Sequence, residues 1–149
     1  MDRQPDDTTI AVWIGLSRAQ RVATAGIEAR LKAAGFPPLA WYDALWELER
    51  AGGGEGLRPF ELERALLFEQ YNLSRLIDRL EKAGLVVRRS CPDDKRGQML
   101  AITPEGLTLR RDMWGVYAPA IEAAVGAKLD ADEAKVLAGL LAKLAVTSA

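Results

Sequence analysis

Residues 70–106 read QYNLSRLIDRLEKAGLVVRRSCPDDKRGQMLAITPEG, and the hydrophobic period changes twice inside them. Leu73, Leu76, Ile77 and Leu80 recur at helical spacing and share one face of a helix predicted from about Gln70 to Ala83, with Gly84 as its left-handed terminator. From Leu85 the period falls to that of strands. LVVRRS and QMLAIT are short apolar runs on either side of the turn PDDKRG, which is a hairpin signal. Thr103-Pro104-Glu105 restarts a helix, Thr103 as N-cap and Pro104 at the first helical position. Upstream, Pro59 opens a short helix over FELERALL, residues 60–67. A helix pair followed by a hairpin is a helix-turn-helix with a β-wing.

The flanks are helical. Val12, Leu16, Ala19, Ala23, Ile27 and Leu31 mark one face of a long helix from about Thr9 to Ala34, ended by Gly35 and Phe36-Pro37-Pro38. A second helix, about Leu39 to Ala51, carries apolar residues on several faces and stops at GGGEG, residues 52–56. The helix from Pro104 should run to about Gly126, kinked between Gly115 and Pro119 because the proline ring crowds the carbonyl four residues back. Asp130 and Glu133 stand in capping-box spacing before a stripe of Val136, Leu137, Leu140, Leu141 and Leu144. The expected fold is mainly α with a small β-hairpin wing. One domain spans residues 1–149, its winged lobe at 39–103, between helices at about 9–34 and 104–146.

Composition narrows the chemistry. The 149 residues are 49% hydrophobic and 28% charged, which suits a globular chain. With no histidine, the chain has no His-based triad and no His zinc ligand. The single cysteine, Cys91, allows no internal disulfide or cysteine cluster. Neighbouring Arg88, Arg89 and Lys95 would lower its pKa, yet it reads as a small wing residue without a regulatory role. No apolar run reaches the roughly 18 residues of a membrane span, and MDRQPDDTT does not read as a signal peptide. No nucleophile motif, phosphate loop or carboxylate pair stands out. The expectation is a soluble cytoplasmic protein that is not an enzyme and needs no cofactor or metal.

The helix-turn-helix supplies candidate contacts to DNA. Its second helix enters the major groove N-terminus first, which brings Gln70, Tyr71 and Asn72 to the base edges. Gln and Asn can pair with adenine N6/N7, and Arg75 with guanine O6/N7 or a phosphate. Ser74 can donate to phosphate, and Arg79 suits the backbone. On the wing, Arg88, Lys95 and Arg96 are the cations, and Asp94 stands where it can orient Arg96 for the minor groove. The plainer reading is a solvated polar helix face and an ordinary polar turn. A winged-helix module that binds protein instead of DNA is the alternative function.

Ser74-Arg75-Leu76, Asp78-Arg79-Leu80-Glu81, Gly84-Leu85-Val86, Arg88, Asp94-x-Arg96 and Ile102-Thr103-x-x-Gly106 together resemble the MarR family of winged helix-turn-helix transcription regulators. The resemblance spans nearly the whole chain. It implies a homodimer joined through residues of about 9–34 and 104–146, bound to a pseudo-palindromic double-stranded operator as a repressor. It also implies release by a small aromatic or phenolic effector, for which Trp13, Trp41, Trp46, Trp114 and Arg21 (or Arg18) are candidates, with Tyr42 and Tyr117 nearby. The plainer reading of those aromatic residues is core or dimer interface. The chain departs from the family where a second basic residue commonly follows the wing arginine, since Gln98 and Met99 stand there.

Charge fits this placement. Totals of 20 basic and 21 acidic side chains hide a division: residues 70–98 carry seven basic and four acidic groups, a net +3, against −4 for the remainder. Near-neutrality of the whole does not exclude a polyanion partner; it confines one to this segment.

Overall fold

The computed structural model describes residues 2–51, 55–70, 72–91 and 94–146, and of residues 91 and 94–96 the backbone only. Their elements are α1 (Asp7–Ala33), α2 (Leu39–Arg50), α3 (Pro59–Ala65), α4 (Leu73–Lys82), β1 (Val86–Cys91), β2 (Asp94–Ile102), α5 (Pro104–Ala124), a single 3-10 turn at Gly126–Lys128, and α6 (Ala131–Leu144). The expected class is observed: a mainly helical chain with one antiparallel hairpin. No helix is long and apolar enough to cross a membrane among the described residues.

Two compact units divide the chain. One is residues 31–116; the other is residues 1–30 with 117–149. The boundary in α5 falls between Val116 and Tyr117, inside the Gly115–Pro119 stretch where a kink is expected.

The 31–116 unit closes a core of its own. Ala44, Leu45 and Leu48 of α2, Leu62 of α3, Leu76, Ile77 and Leu80 of α4, and Leu85, Val86 and Leu100 of the hairpin are buried together. The hairpin pairs Val86 with Ile102, Arg88 with Leu100 and Ser90 with Gln98, and its register shifts between Ser90 and Cys91. Leu57 adds an isolated antiparallel bridge beside the hairpin, exchanging both backbone hydrogen bonds with Leu100 at 2.9 and 2.7 Å. Gly56 makes that approach possible. Its φ is +83°, and a Cβ there would sit 1.9 Å from the Leu100 carbonyl oxygen.

Helix ends follow local chemistry. Gly84 (φ +76°) ends α4 in a Schellman motif: its N–H reaches the Glu81 carbonyl at 2.9 Å, and the Leu85 N–H reaches that of Leu80 at 3.0 Å. Thr103 caps α5 as expected, its Oγ1 accepting the Gly106 N–H at 3.0 Å while donating to the Gly84 carbonyl at 2.7 Å. At α6 both halves of the Asp130–Glu133 capping box form, at 3.0 and 2.8 Å.

Three boundaries differ from expectation. The α1 helix begins at Asp7 because Asp6 Oδ1 accepts the Thr9 N–H at 2.7 Å and serves as cap. That bond also holds the Asp6 carboxyl below the usual carboxylate range. The second helix of the pair begins at Leu73, not near Gln70, because Asn72 is its N-cap. The PDDKRG turn is shorter than expected, since β2 is already a strand at Asp94.

The other unit buries Ile27 of the α1 stripe and leaves most of its apolar positions on α1 and α6 exposed in a single chain. No residue of α6 is buried. Val136, Leu137, Leu140, Leu141 and Leu144 are exposed, as are Ile10, Val12, Trp13, Ile14 and Leu16 of α1.

Two substitutions probe the joints of the 31–116 unit. Thr103→Val keeps the volume and removes the hydroxyl, leaving the Gly84 carbonyl and Gly106 amide without their partner. It should destabilise by about 1–3 kcal/mol. Gly56→Ala should cost about 2 kcal/mol, because it meets both a left-handed backbone and the Leu100 carbonyl. Urea unfolding at one fixed protein concentration measures both.

Candidate nucleic-acid interface

Amphipathic α4 presents a defined outward face. Leu76, Ile77 and Leu80 turn into the core. Ser74, Arg75, Asp78, Arg79 and Lys82 are exposed. Arg75, Arg79 and Lys82, at steps of four and three, form one cationic stripe along the helix. Arg79 and Lys82 also stand in the last turn, where the helix dipole favours positive charge.

The helix entrance is built from loop residues. Asn72 Oδ1 accepts the Arg75 N–H at 3.0 Å, so its carbonyl oxygen is engaged and its amide NH2 remains for other partners. Gln70 lies before the cap, half-buried, with Nε2 donating to the Phe68 carbonyl at 3.4 Å. The expectation that Gln70 and Asn72 sit inside the first helical turn is therefore corrected: both precede it. Tyr71, the third residue expected at this entrance, lies outside the described residues.

Arg88 is committed to partners on α4. From β1 its Nη2 donates to Asp78 Oδ1 and its Nη1 to Glu81 Oε1, each at 2.6 Å. Asp78 and Glu81 are three residues apart on α4, so one guanidinium fork spans two acids on adjacent helical turns. The bond from Asp78 leads in raising the Arg88 pKa further above its already high ordinary value. The expected cation toward DNA is thus a tie between wing and recognition helix. Arg89 beside it is exposed. The side chains of Cys91, Asp94, Lys95 and Arg96 lie outside the described residues, and so do the wing-tip contacts expected of them.

The aromatic candidates separate. Tyr42 and Trp46 of α2 meet Trp114 and Arg110 of α5: the Tyr42 and Trp114 rings stack at 6.1 Å, and Arg110 stands over Trp46 at 5.3 Å. Arg110 also forks onto Glu49, with Nε facing Oε2 at 2.5 Å and Nη2 donating to Oε1 at 3.3 Å. Burial lowers the Arg110 pKa, but Glu49 and Tyr42 outweigh it and leave it raised. Burial likewise pushes the Tyr42 hydroxyl up. Trp41 is half-buried against the core. Trp13 and Arg21 belong to the other compact unit.

The residue that the sequence reading passed over is Asp43. It lies between Tyr42 and Ala44 on the buried side of α2 and is 5% exposed. Its Oδ2 accepts the Phe68 N–H at 3.1 Å. A carboxylate inside an apolar helix face was the available signal.

Known proteins resemble this chain in sequence and fold. A family model described as MarR family matches residues 34–97. The crystal structure of Sco3205 from Streptomyces coelicolor, a MarR family transcriptional regulator in complex with DNA, superposes with a TM-score of 0.85 at 28% identity, over 97% of this chain and 90% of that one. AbsC, a MarR family transcriptional regulator from the same organism, superposes with a TM-score of 0.82 at 26% identity, over 97% and 96%. The HTH-type transcriptional regulator PapX of Escherichia coli is 37% identical over 51 residues, which is 34% of this chain and 31% of the length of that relative. Residues 34–97 thus match the MarR family model, and the fold of the chain is similar to that of MarR family transcriptional regulators.

Proposed function

We propose that this regulator is a homodimer that reads a pseudo-palindromic double-stranded operator and acts as a repressor by occupying it. The observation that carries this reading is the exposed Arg75–Arg79–Lys82 stripe on α4, headed by Asn72 and Ser74 and free of side-chain partners among the described residues. Arg75 and Ser74 stand at the end of the helix that enters the groove, and Arg79 and Lys82 follow where the phosphates run. Arg89, Lys95 and Arg96 supply the wing's contacts, with Asp94 orienting Arg96. Arg88 acts on DNA indirectly, by fixing the wing against α4.

A second copy covers the stripes of α1 and α6. So many apolar residues exposed along α1 and α6, within about 9–34 and 104–146, are more than an isolated chain leaves in water. Two-fold symmetry then presents two recognition helices to two half-sites.

Release by a small aromatic or phenolic anion rests on a separate observation. Tyr42, Trp46 and Trp114 gather around Arg110, whose counter-charge is a single glutamate. An aromatic carboxylate could exchange with Glu49 on that guanidinium. Trp41 of α2 joins that proposed set, and Trp13 and Arg21 of the other unit are proposed effector contacts by themselves.

Salt titration of operator binding separates contact from support. The operator comes from selecting bound sequences out of random double-stranded DNA. Arg75→Ala should weaken binding and reduce the slope of log K against log salt by about one, as loss of one phosphate contact does. Arg88→Ala should leave that slope unchanged and lower the preference for operator over random DNA. A slope reduced in Arg88→Ala would make it a phosphate contact after all. No preference of the wild-type protein for any selected sequence would favour a protein-binding module. Leu140→Asp, placed in the middle of the α6 stripe, should shift the sedimentation mass from dimer toward monomer at micromolar concentration.

A further inference from the structure

We propose that Asp43 is a positioning residue for the recognition helix: its buried carboxylate straps the turn between α3 and α4 to α2 and so sets where α4 begins. The inference deepens the DNA-reading assignment and rests on it for its functional half. Three observations place the strap. Asp43 is 5% exposed, and its Oδ2 accepts the Phe68 N–H at 3.1 Å across 25 residues of sequence. The Leu67 amide is a second donor to the same carboxyl. Phe68 in turn holds Gln70, whose Nε2 donates to its carbonyl, and two residues later Asn72 caps α4.

The turn needs such an anchor. The α3 helix is seven residues long and leaves the helical conformation at Leu66, where ψ is 137°. The Leu67 side chain is exposed and contributes little packing. Backbone donors at this point have no strand or helix to pair with, and a short side-chain acceptor from behind satisfies them. Burial pushes the Asp43 carboxyl up, against the two amides that pull it down. The group is thus retained for its acceptor oxygens at a cost in desolvation.

Asp43→Leu and Asp43→Asn in the full chain test this by two independent readouts. The first is amide hydrogen exchange in the free protein. Asp43→Leu should accelerate exchange at Leu67 and Phe68 at least tenfold and leave Leu62 and Leu80 within twofold, and Asp43→Asn, which keeps one acceptor oxygen, should fall between. The second is preference for the selected operator over random DNA. It should drop about tenfold in Asp43→Leu, with affinity for random DNA unchanged.

Uniform acceleration of all core amides, or an unchanged operator preference in a variant whose Leu67 and Phe68 amides have been released, overturns the proposal. Where Asp43→Leu does not fold, Asp43→Asn decides: faster exchange confined to Leu67 and Phe68 supports the strap, and unchanged exchange overturns it. If the wild-type protein shows no operator preference, the DNA-reading assignment fails. The exchange pattern then still judges whether the strap exists.

Discussion

The Thr103 hydroxyl donates to the Gly84 carbonyl at 2.7 Å and accepts the Gly106 amide at 3.0 Å, while the Thr103 amide reaches the Leu85 carbonyl at 3.0 Å. Through these three bonds the end of α4, the end of β2 and the first turn of α5 meet at one residue. Gly106 completes the joint. A Cβ at that position would lie 2.3 Å from the Leu85 carbonyl oxygen, so no other residue lets α5 approach the wing base so closely. Because all three elements share one hydroxyl, a shift at the start of α5 must be passed to α4 and β2 or must break the cap. The recognition helix is held at its other end by Asn72 and by the turn behind it, and both of its ends are therefore fixed by polar groups while Leu76, Ile77 and Leu80 fix its depth.

Charge is used twice in this lobe. Asp78 and Glu81 face Arg88, whose single positive charge offsets one of the two acids on the helix that also carries Arg75, Arg79 and Lys82. Left unpaired, the same acids would stand beside the stripe and weaken its attraction for an anion. The net +3 of residues 70–98 counts this cluster at −1, so the other charged side chains of the segment carry +4. Exposed ion pairs contribute little to stability, about 0–1 kcal/mol each, so the geometry that Arg88 imposes matters more than the energy it adds.

Most of the architecture is legible in the sequence because period and punctuation coincide there. Gly35 and Gly84 do adopt positive φ, Thr103 does cap, and Asp130 with Glu133 does form a capping box. What is not legible shares one physical cause: a polar residue has several uses, and spacing alone does not choose among them. Asn72 looks like a first-turn residue and is the cap. Arg88 alternates as an exposed strand residue should, but two acids three residues apart on the neighbouring helix capture it. Leu57 makes a single bridge, and a single bridge has no period to detect. Asp43 sits where hydrophobicity predicts core, and only the donors of a turn 25 residues away explain it. Conversely, the Asp78–Glu81 spacing was a readable sign that some cation would be drawn across.

The two compact units meet their entropy costs differently. In the 31–116 unit each helix turns a stripe into the common core. The α6 helix has 14 residues and no buried side chain. Fixing a backbone residue costs about 1–2 kcal/mol, and an isolated helix of this length is marginal in water even with a good capping box. Exposed leucines at 137, 140, 141 and 144 provide no compensation until something apolar covers them. If a second copy is what covers them, as proposed, folding of that unit and assembly are one equilibrium, and the spacing between two recognition helices is set by the same leucines that stabilise the fold. Apolar residues far from any base would then define which operator spacings can be read, while the polar residues of α4 define which bases are.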